Sequence, residues 1–166
     1  MTTPAAGSAE GSTAQIAVTE NLAKDGTKDV TRGQRPPWTV VDATVLAVAL
    51  TDDGPDGDRA RQRMAGCTLA APSIVDLEVL AVWHRGAASG AVPQRRIDLA
   101  MADLARIPLT RVNPLEFLPS CWDRLGGATA ADAAYLALAE ALDAPLLTAD
   151  PRLARAGSRV RVELLR

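Results

Sequence analysis

Beginning at Trp38, short apolar segments alternate with helix-length ones, and this alternation constrains the fold more than any other feature. Residues 39–41, 68–71, 107–112, 145–148 and 160–164 read as strands, aliphatic or β-branched and bounded by polar or turn residues. Residues 45–50, 58–65, 74–85, 93–106, 114–122 and 130–142 read as helices, and Asp150-Pro151 opens a brief further one. Thr44, Ser73 and Thr129 are the predicted caps, residues 51–57 a turn, and Gly66, Gly86–Gly90 and Gly126-Gly127 the helix stops. Strands separated by helices form parallel βαβ units whose helices cover the sheet. The predicted fold class is therefore α/β: a three-layer α/β/α sandwich around a parallel sheet of about five strands.

Residues 1–37 break this pattern. They are rich in Ala, Gly, Ser and Thr, hold no sustained period and end at Arg35-Pro36-Pro37. Such a segment buries too little apolar surface to offset its ordering entropy. It is expected to be a disordered extension, leaving residues 38–166 as one domain.

Composition removes several function classes. The formal net charge is −2, which argues against a generic basic coat for nucleic acid. The last lysine is Lys28, so every basic residue of the domain is Arg and no mechanism there can use a catalytic lysine. His84 is the only histidine, and Cys67 and Cys121 have no zinc spacing; both cysteines read as small buried hydrophobes in a reducing compartment. No run approaches transmembrane length and no signal peptide precedes the domain, so a cytoplasmic location is expected.

Four carboxylates then stand out. Asp42 ends the first strand, inside an apolar run where an ionised group needs a partner or a metal. Glu78 lies in the early turns of the helix after the second strand, Asp132 three residues beyond the cap Thr129, and Asp150 two residues after the fourth strand. Helices leave a parallel sheet at its carboxyl edge and run back, so all four fall on that edge. Singly, Asp42, Asp132 and Asp150 could each be a helix cap. As a set they have no cationic partner in the sequence pattern, and clustered carboxylates cannot all stay ionised alone. A hard divalent cation, Mg²⁺ or Mn²⁺, is the natural counter-ion, and such a site suits phosphodiester hydrolysis. Asp76, two residues from Glu78, points to another side and is expected to be solvated, like Asp98, Asp103 and Asp143. Arg59, Arg61, Arg63, Arg85, Arg95 and Arg96 are candidates for a basic rim that meets a polyanionic phosphodiester substrate.

Four segments carry a family resemblance: Val41-Asp42-Ala43-Thr44-Val45-Leu46, Asp76-Leu77-Glu78-Val79-Leu80, Thr129-Ala130-Ala131-Asp132-Ala133-Ala134-Tyr135, and Leu146-Leu147-Thr148-Ala149-Asp150. In order and spacing the chain resembles a PIN-domain ribonuclease, specifically a VapC-type toxin of a toxin–antitoxin pair. The resemblance implies that Asp42, Glu78, Asp132 and Asp150 form the acidic site, with Asp42 and Asp132 as direct metal ligands. Thr44 and Thr148 are then supporting hydroxyls, with Thr129 capping beside Asp132. It also implies a homodimer, a VapB-type antitoxin as partner, and tRNA or rRNA as the substrate whose cleavage inhibits translation. A leader such as residues 1–37 is not usual in these toxins.

Two other classes compete. Haloacid-dehalogenase-like phosphatases and receiver domains also place an Asp after a buried strand. The first needs a second Asp where this chain has Thr44, and both need a lysine the domain lacks. A non-catalytic PIN-like partner-binding module would be marked by a degenerate acidic set, whereas all four positions are present.

Overall fold

The computed structural model describes residues 37–156 and 159–166, so the predicted extension, apart from Pro37, lies outside the described residues. Five strands form one sheet: β1 Trp38–Val41, β2 Thr68–Pro72, β3 Leu109–Val112, β4 Leu146–Thr148 and β5 Val162–Leu164. Their order is β3-β2-β1-β4-β5, and every neighbouring pair is parallel. The helices are α1 Ala43–Thr51, α2 Pro55–Met64, α3 Val75–Ala88, α4 Gln94–Arg106, α5 Leu118–Trp122, α6 Ala130–Ala141 and α7 Pro151–Ala156. A single 3-10 turn, Pro114–Phe117, precedes α5.

Strand order and chirality together fix the layers. Right-handed crossovers from β1 to β2 to β3 put α1–α4 on one face; the return to β4 and then β5 puts α5–α7 on the other. Packing agrees: α1 meets α2, α3 and α4, whereas α6 meets α5 and lies on β1, β2 and β4. The chain reverses its direction of travel between β1 and β4, so a crevice opens at the carboxyl ends of these two strands.

The core is built from small aliphatic groups. Val40 and Val41 of β1 are fully buried, and α6 presents Ala133, Ala134, Ala137 and Ala139 to the interior. Alanine loses no rotamer freedom on burial and allows the helix to sit close to the sheet. Three aromatics fill the remaining volume: Trp83 beneath α1, and Phe117 and Tyr135 in the opposite layer. The Trp83 indole N–H donates to the Ala47 carbonyl of α1 at 3.2 Å, which ties α3 to α1. Among the described residues no helix is long and apolar enough to cross a membrane.

Some predicted boundaries move, each for a local reason. Thr44 does not cap α1. The cap position is Asp42, whose carbonyl accepts from the amides of Val45 and Leu46. Nor does Ser73 cap α3; Ile74 precedes it, and its carbonyl accepts from Leu77 and Glu78. Helix α2 begins at Pro55 and absorbs part of the predicted turn. Gly57 belongs there because a Cβ would lie 1.8 Å from the Asp52 carbonyl oxygen. Gly86 is likewise no stop. Helix α3 runs through it to Ala88, and a Cβ at 86 would crowd Val92 at 2.9 Å, so this glycine serves close packing. Strands β3 and β5 each start two residues later than the predicted segments. Cys121 is buried as expected, whereas Cys67 is half-buried; both are free thiols.

Candidate active site

Asp42 is held from both sides. Its amide donates to the Leu147 carbonyl of β4 at 2.9 Å, the last rung of the sheet, while its carbonyl starts α1. The residue is only 6 % exposed. Thr44 and Thr148 both donate to its Oδ2, at 2.5 and 2.7 Å. The Thr44 hydroxyl also accepts from the Ala149 amide, and the Thr148 hydroxyl accepts from the Asp150 amide. Two side chains thus lock the loop after β4 to the end of β1.

The other three carboxylates reach the same crevice from different elements. Glu78 lies in the first turn of α3, on the far side of the helix from Asp76. Asp132 lies in the first turn of α6, where the Thr129 hydroxyl accepts from its amide at 3.1 Å. That is one half of a capping box, and the Asp132 carboxylate itself makes no hydrogen bond or ion pair among the described residues. Asp150 caps α7, its Oδ1 accepting from the Arg152 amide at 2.7 Å, with Pro151 at the first helical position. Capping and site geometry therefore coexist at Asp132 and Asp150 rather than exclude each other.

The electrostatics tie the four together. Burial pushes the Asp42 carboxyl above its ordinary value; the Thr44 and Thr148 hydroxyls oppose this, and the Asp150 charge adds to it. Burial also raises Glu78, against the Tyr135 hydroxyl and with the help of the Asp42 and Asp132 charges. Asp150 moves the other way, held down chiefly by the Arg152 side chain. Among the described residues no three Asp, Glu, His or Cys side chains already close on one point.

The structure corrects two expectations. First, the acidic set does have a cationic partner: the Arg152 guanidinium bonds both oxygens of Asp150, the shortest contact being 2.7 Å. Second, Asp76 is not free in solvent. It forms a two-pronged pair with Arg111 at 2.7 and 2.8 Å, and Arg111 also donates to the Leu104 and Leu109 carbonyls. The candidate rim arginines are mostly engaged with carboxylates outside the set. Arg59, Arg61, Arg63 and Arg96 pair with Asp56, Asp58, Glu163 and Asp53, and Arg85 and Arg95 are exposed elsewhere.

Tyr135 is the site residue that sequence reasoning missed. Its hydroxyl donates to Glu78 Oε2 at 2.7 Å, and its ring is buried. The available signal was the spacing Asp132-x-x-Tyr135, which puts both on one face of α6. Tyr135→Phe removes the only side-chain donor to Glu78 among the described residues while keeping the ring. Losses of such outer-shell partners run to about 10–100-fold in activity or metal affinity. We expect a fall of that size with unchanged circular dichroism, and equal turnover by the variant would remove Tyr135 from the site.

With this geometry in place the relatives fit. The PIN domain family model matches residues 39–158. Ribonuclease VapC3 of Mycobacterium tuberculosis is 35% identical over 121 residues, covering 73% of this chain and 88% of the relative. Ribonuclease VapC9 of the same organism is 37% identical over 121 residues, covering 71% and 90%. The chain belongs to the PIN-domain family, and within it to the VapC-type ribonucleases. The crystal structure of PAE2754 from Pyrobaculum aerophilum shares the fold, with a TM-score of 0.56 at 21% identity over 82% of this chain and 91% of that one.

Proposed function

We propose that the protein is a metal-dependent endoribonuclease, the toxin of a toxin–antitoxin pair, which cuts structured RNA of the tRNA or rRNA class and so inhibits translation. What supports this reading is that Asp42, Glu78, Asp132 and Asp150 stand just after strands or in the first turns of the helices that follow them, with Asp42 almost withdrawn from water and the charges of its neighbours acting on it and on Glu78. The relatives' name, ribonuclease VapC, supports RNA as the substrate and a VapB-type antitoxin as partner.

The donor set fits Mg²⁺ or Mn²⁺. Its ligands are hard oxygens, its charge is negative, and Asp42 is a buried carboxylate without a cation of its own. The open spacing is compatible as well, because Mg²⁺ keeps several waters and needs only one or two carboxylates. Asp42 and Asp132 are the proposed ligands. When bound, the ion supplies Lewis-acid activation of the phosphodiester and a lowered pKa for an attacking water. Thr44 and Thr148 fix the Asp42 carboxylate through Oδ2. Glu78, oriented by Tyr135, is placed to hold or accept a proton from water near the scissile phosphate.

A homodimer is also proposed. The apolar side chains of α1 are taken up by the monomer, Val45 and Leu46 within its core and Leu50 packed against it. Leu115, Leu118 and Trp122, around α5, remain exposed and supply apolar surface that a partner can cover.

The test is incubation of the purified protein with total cellular RNA and Mg²⁺ or Mn²⁺, beside a chelator control and the Asp132→Asn variant. Discrete fragments that vanish in both controls are the expected result. Cutting that survives chelation would defeat the metal mechanism. No cutting with either ion would leave a partner-binding module in its place.

A further inference from the structure

An acidic site must hold a polyanion, and the six arginines expected to help are engaged or located elsewhere. One cation does stand beside the carboxylates. A shallow cleft of about 480 Å³ adjoins Asp132, lined by the loop from Leu125 to Thr129, by Asp132, and by Arg152 and Ala156 of α7. Among the described residues its charged side chains are Asp132 and Arg152. The Arg152 side chain is 75 % exposed and lies over Asp150, whose own side chain is 19 % exposed. The Asp132 charge acts on this guanidinium as well.

Resting on the nuclease reading above, we infer that Arg152 is a substrate-positioning residue that grips an RNA phosphate in this cleft, next to the phosphodiester that is cut. Three physical points carry the inference. An ion pair this exposed to solvent is weak, so the guanidinium is released from Asp150 at little cost. The guanidinium, whose Nε and Nη2 both donate to Asp150 Oδ2 at 3.2 and 2.7 Å, is a planar fork that also fits phosphate oxygens. Finally, Gly126 and Gly127 put no side chain over the cleft, and a Cβ built on either would meet nothing within 4 Å. The cleft is therefore open to a strand along this wall.

Arg152 thus has two partners at different stages. Without RNA it neutralises Asp150 and moderates the repulsion within the acidic set. With RNA it turns to the phosphate, and the Asp150 carboxylate is left without its counter-charge. The role is one of binding rather than bond-breaking, so it belongs in KM and not in kcat.

The experiment compares Arg152→Gln, Arg152→Lys and the control Arg155→Gln. Arg155 is also exposed on α7 but does not line the cleft, so its variant removes the same charge without the contact. Steady-state cleavage gives the first readout. Anisotropy of fluorescently labelled tRNA, on the Asp42→Asn background that is not expected to cut, gives the second. A hydrogen-bonded charged contact of this kind is worth about tenfold or more in affinity. Arg152→Gln is expected to raise KM and Kd by that factor, with kcat nearly unchanged. It should also reduce the slope of log K against log salt by about one. Arg152→Lys should recover part of the affinity, and Arg155→Gln should change little. Equal effects of the glutamine variants at 152 and 155, or a loss confined to kcat, would overturn the inference. Failure of the nuclease reading looks different: the unmodified protein would bind RNA through Arg152 without cutting it.

Discussion

Asp42→Asn is expected to abolish RNA cleavage and, at the same time, to stabilise the metal-free protein. The loss should exceed the roughly 100-fold upper range for outer-shell partners, because Asp42 is a proposed direct ligand. The gain follows from its surroundings. The carboxylate is 6 % exposed, receives two hydroxyls, and faces the Asp150 and Glu78 charges with no cation bonded to it. Replacing it with a neutral acceptor of the same shape keeps the Thr44 and Thr148 bonds and removes the repulsion. Active-site relief of this kind is commonly worth about 0.5–2 kcal/mol.

The pH dependence carries the same signature. Asp42 and Glu78 hold their protons more tightly in the folded chain than in the unfolded one. Between the unfolded carboxylate value of about 4 and their raised folded values, the folded state binds more protons. Their stabilising contribution is therefore complete below that window and is lost as pH rises through it. Asp150, lowered by Arg152, acts with the opposite sign and only below about pH 4. Thermal melts of the chelated protein across mildly acidic to neutral pH should show the decline, and Asp42→Asn should flatten it. A variant less stable than the parent at neutral pH would refute this account of the site.

Trp83→Ala is expected to cost the most stability of any single change, about 3–5 kcal/mol, because it removes the largest fully buried side chain. In a domain whose total is about 5–15 kcal/mol, this lowers the melting midpoint by on the order of 10 °C or more. Activity should suffer beyond the unfolded fraction. Trp83 fastens α3, which carries Glu78, to α1, which starts at Asp42. Trp83→Phe separates the two effects: it keeps most of the volume, and the Ala47 carbonyl it abandons still accepts from the Thr51 hydroxyl at 2.7 Å. Denaturant melts of both variants measure the difference, and a Trp83→Ala protein as stable as the parent would place the indole outside the core.

Much of this was legible in the residues. Each strand is a short aliphatic run, and each carboxylate of the set sits at a strand end or in a first helical turn, where local spacing decides its position. What could not be read depends on contacts distant in the chain. The order β3-β2-β1-β4-β5 is a matter of which strands pair, and the aliphatic segments are alike enough to leave that open. Tyr135 meets Glu78 across 57 residues, and Arg111 meets Asp76 across 35. Glycine was ambiguous for a related reason: Gly57 reads locally as a turn residue and Gly86 as a helix stop, but in three dimensions both are positions of close approach. Arg152 lies only two residues from Asp150, yet the spacing did not reveal that its side chain folds back onto the carboxylate it follows.

The pair between Asp76 and Arg111 has a mechanical meaning. At 100° per residue, Asp76 and Glu78 project about 200° apart around α3. Arg111 belongs to β3, and its guanidinium is anchored on two carbonyls as well as on Asp76. Helix α3 therefore cannot roll about its axis without breaking that clamp, and Glu78 stays aimed at Tyr135 and Asp42. A salt bridge on the outer side of the helix sets the heading of the carboxylate on its inner side, as a keel holds a course.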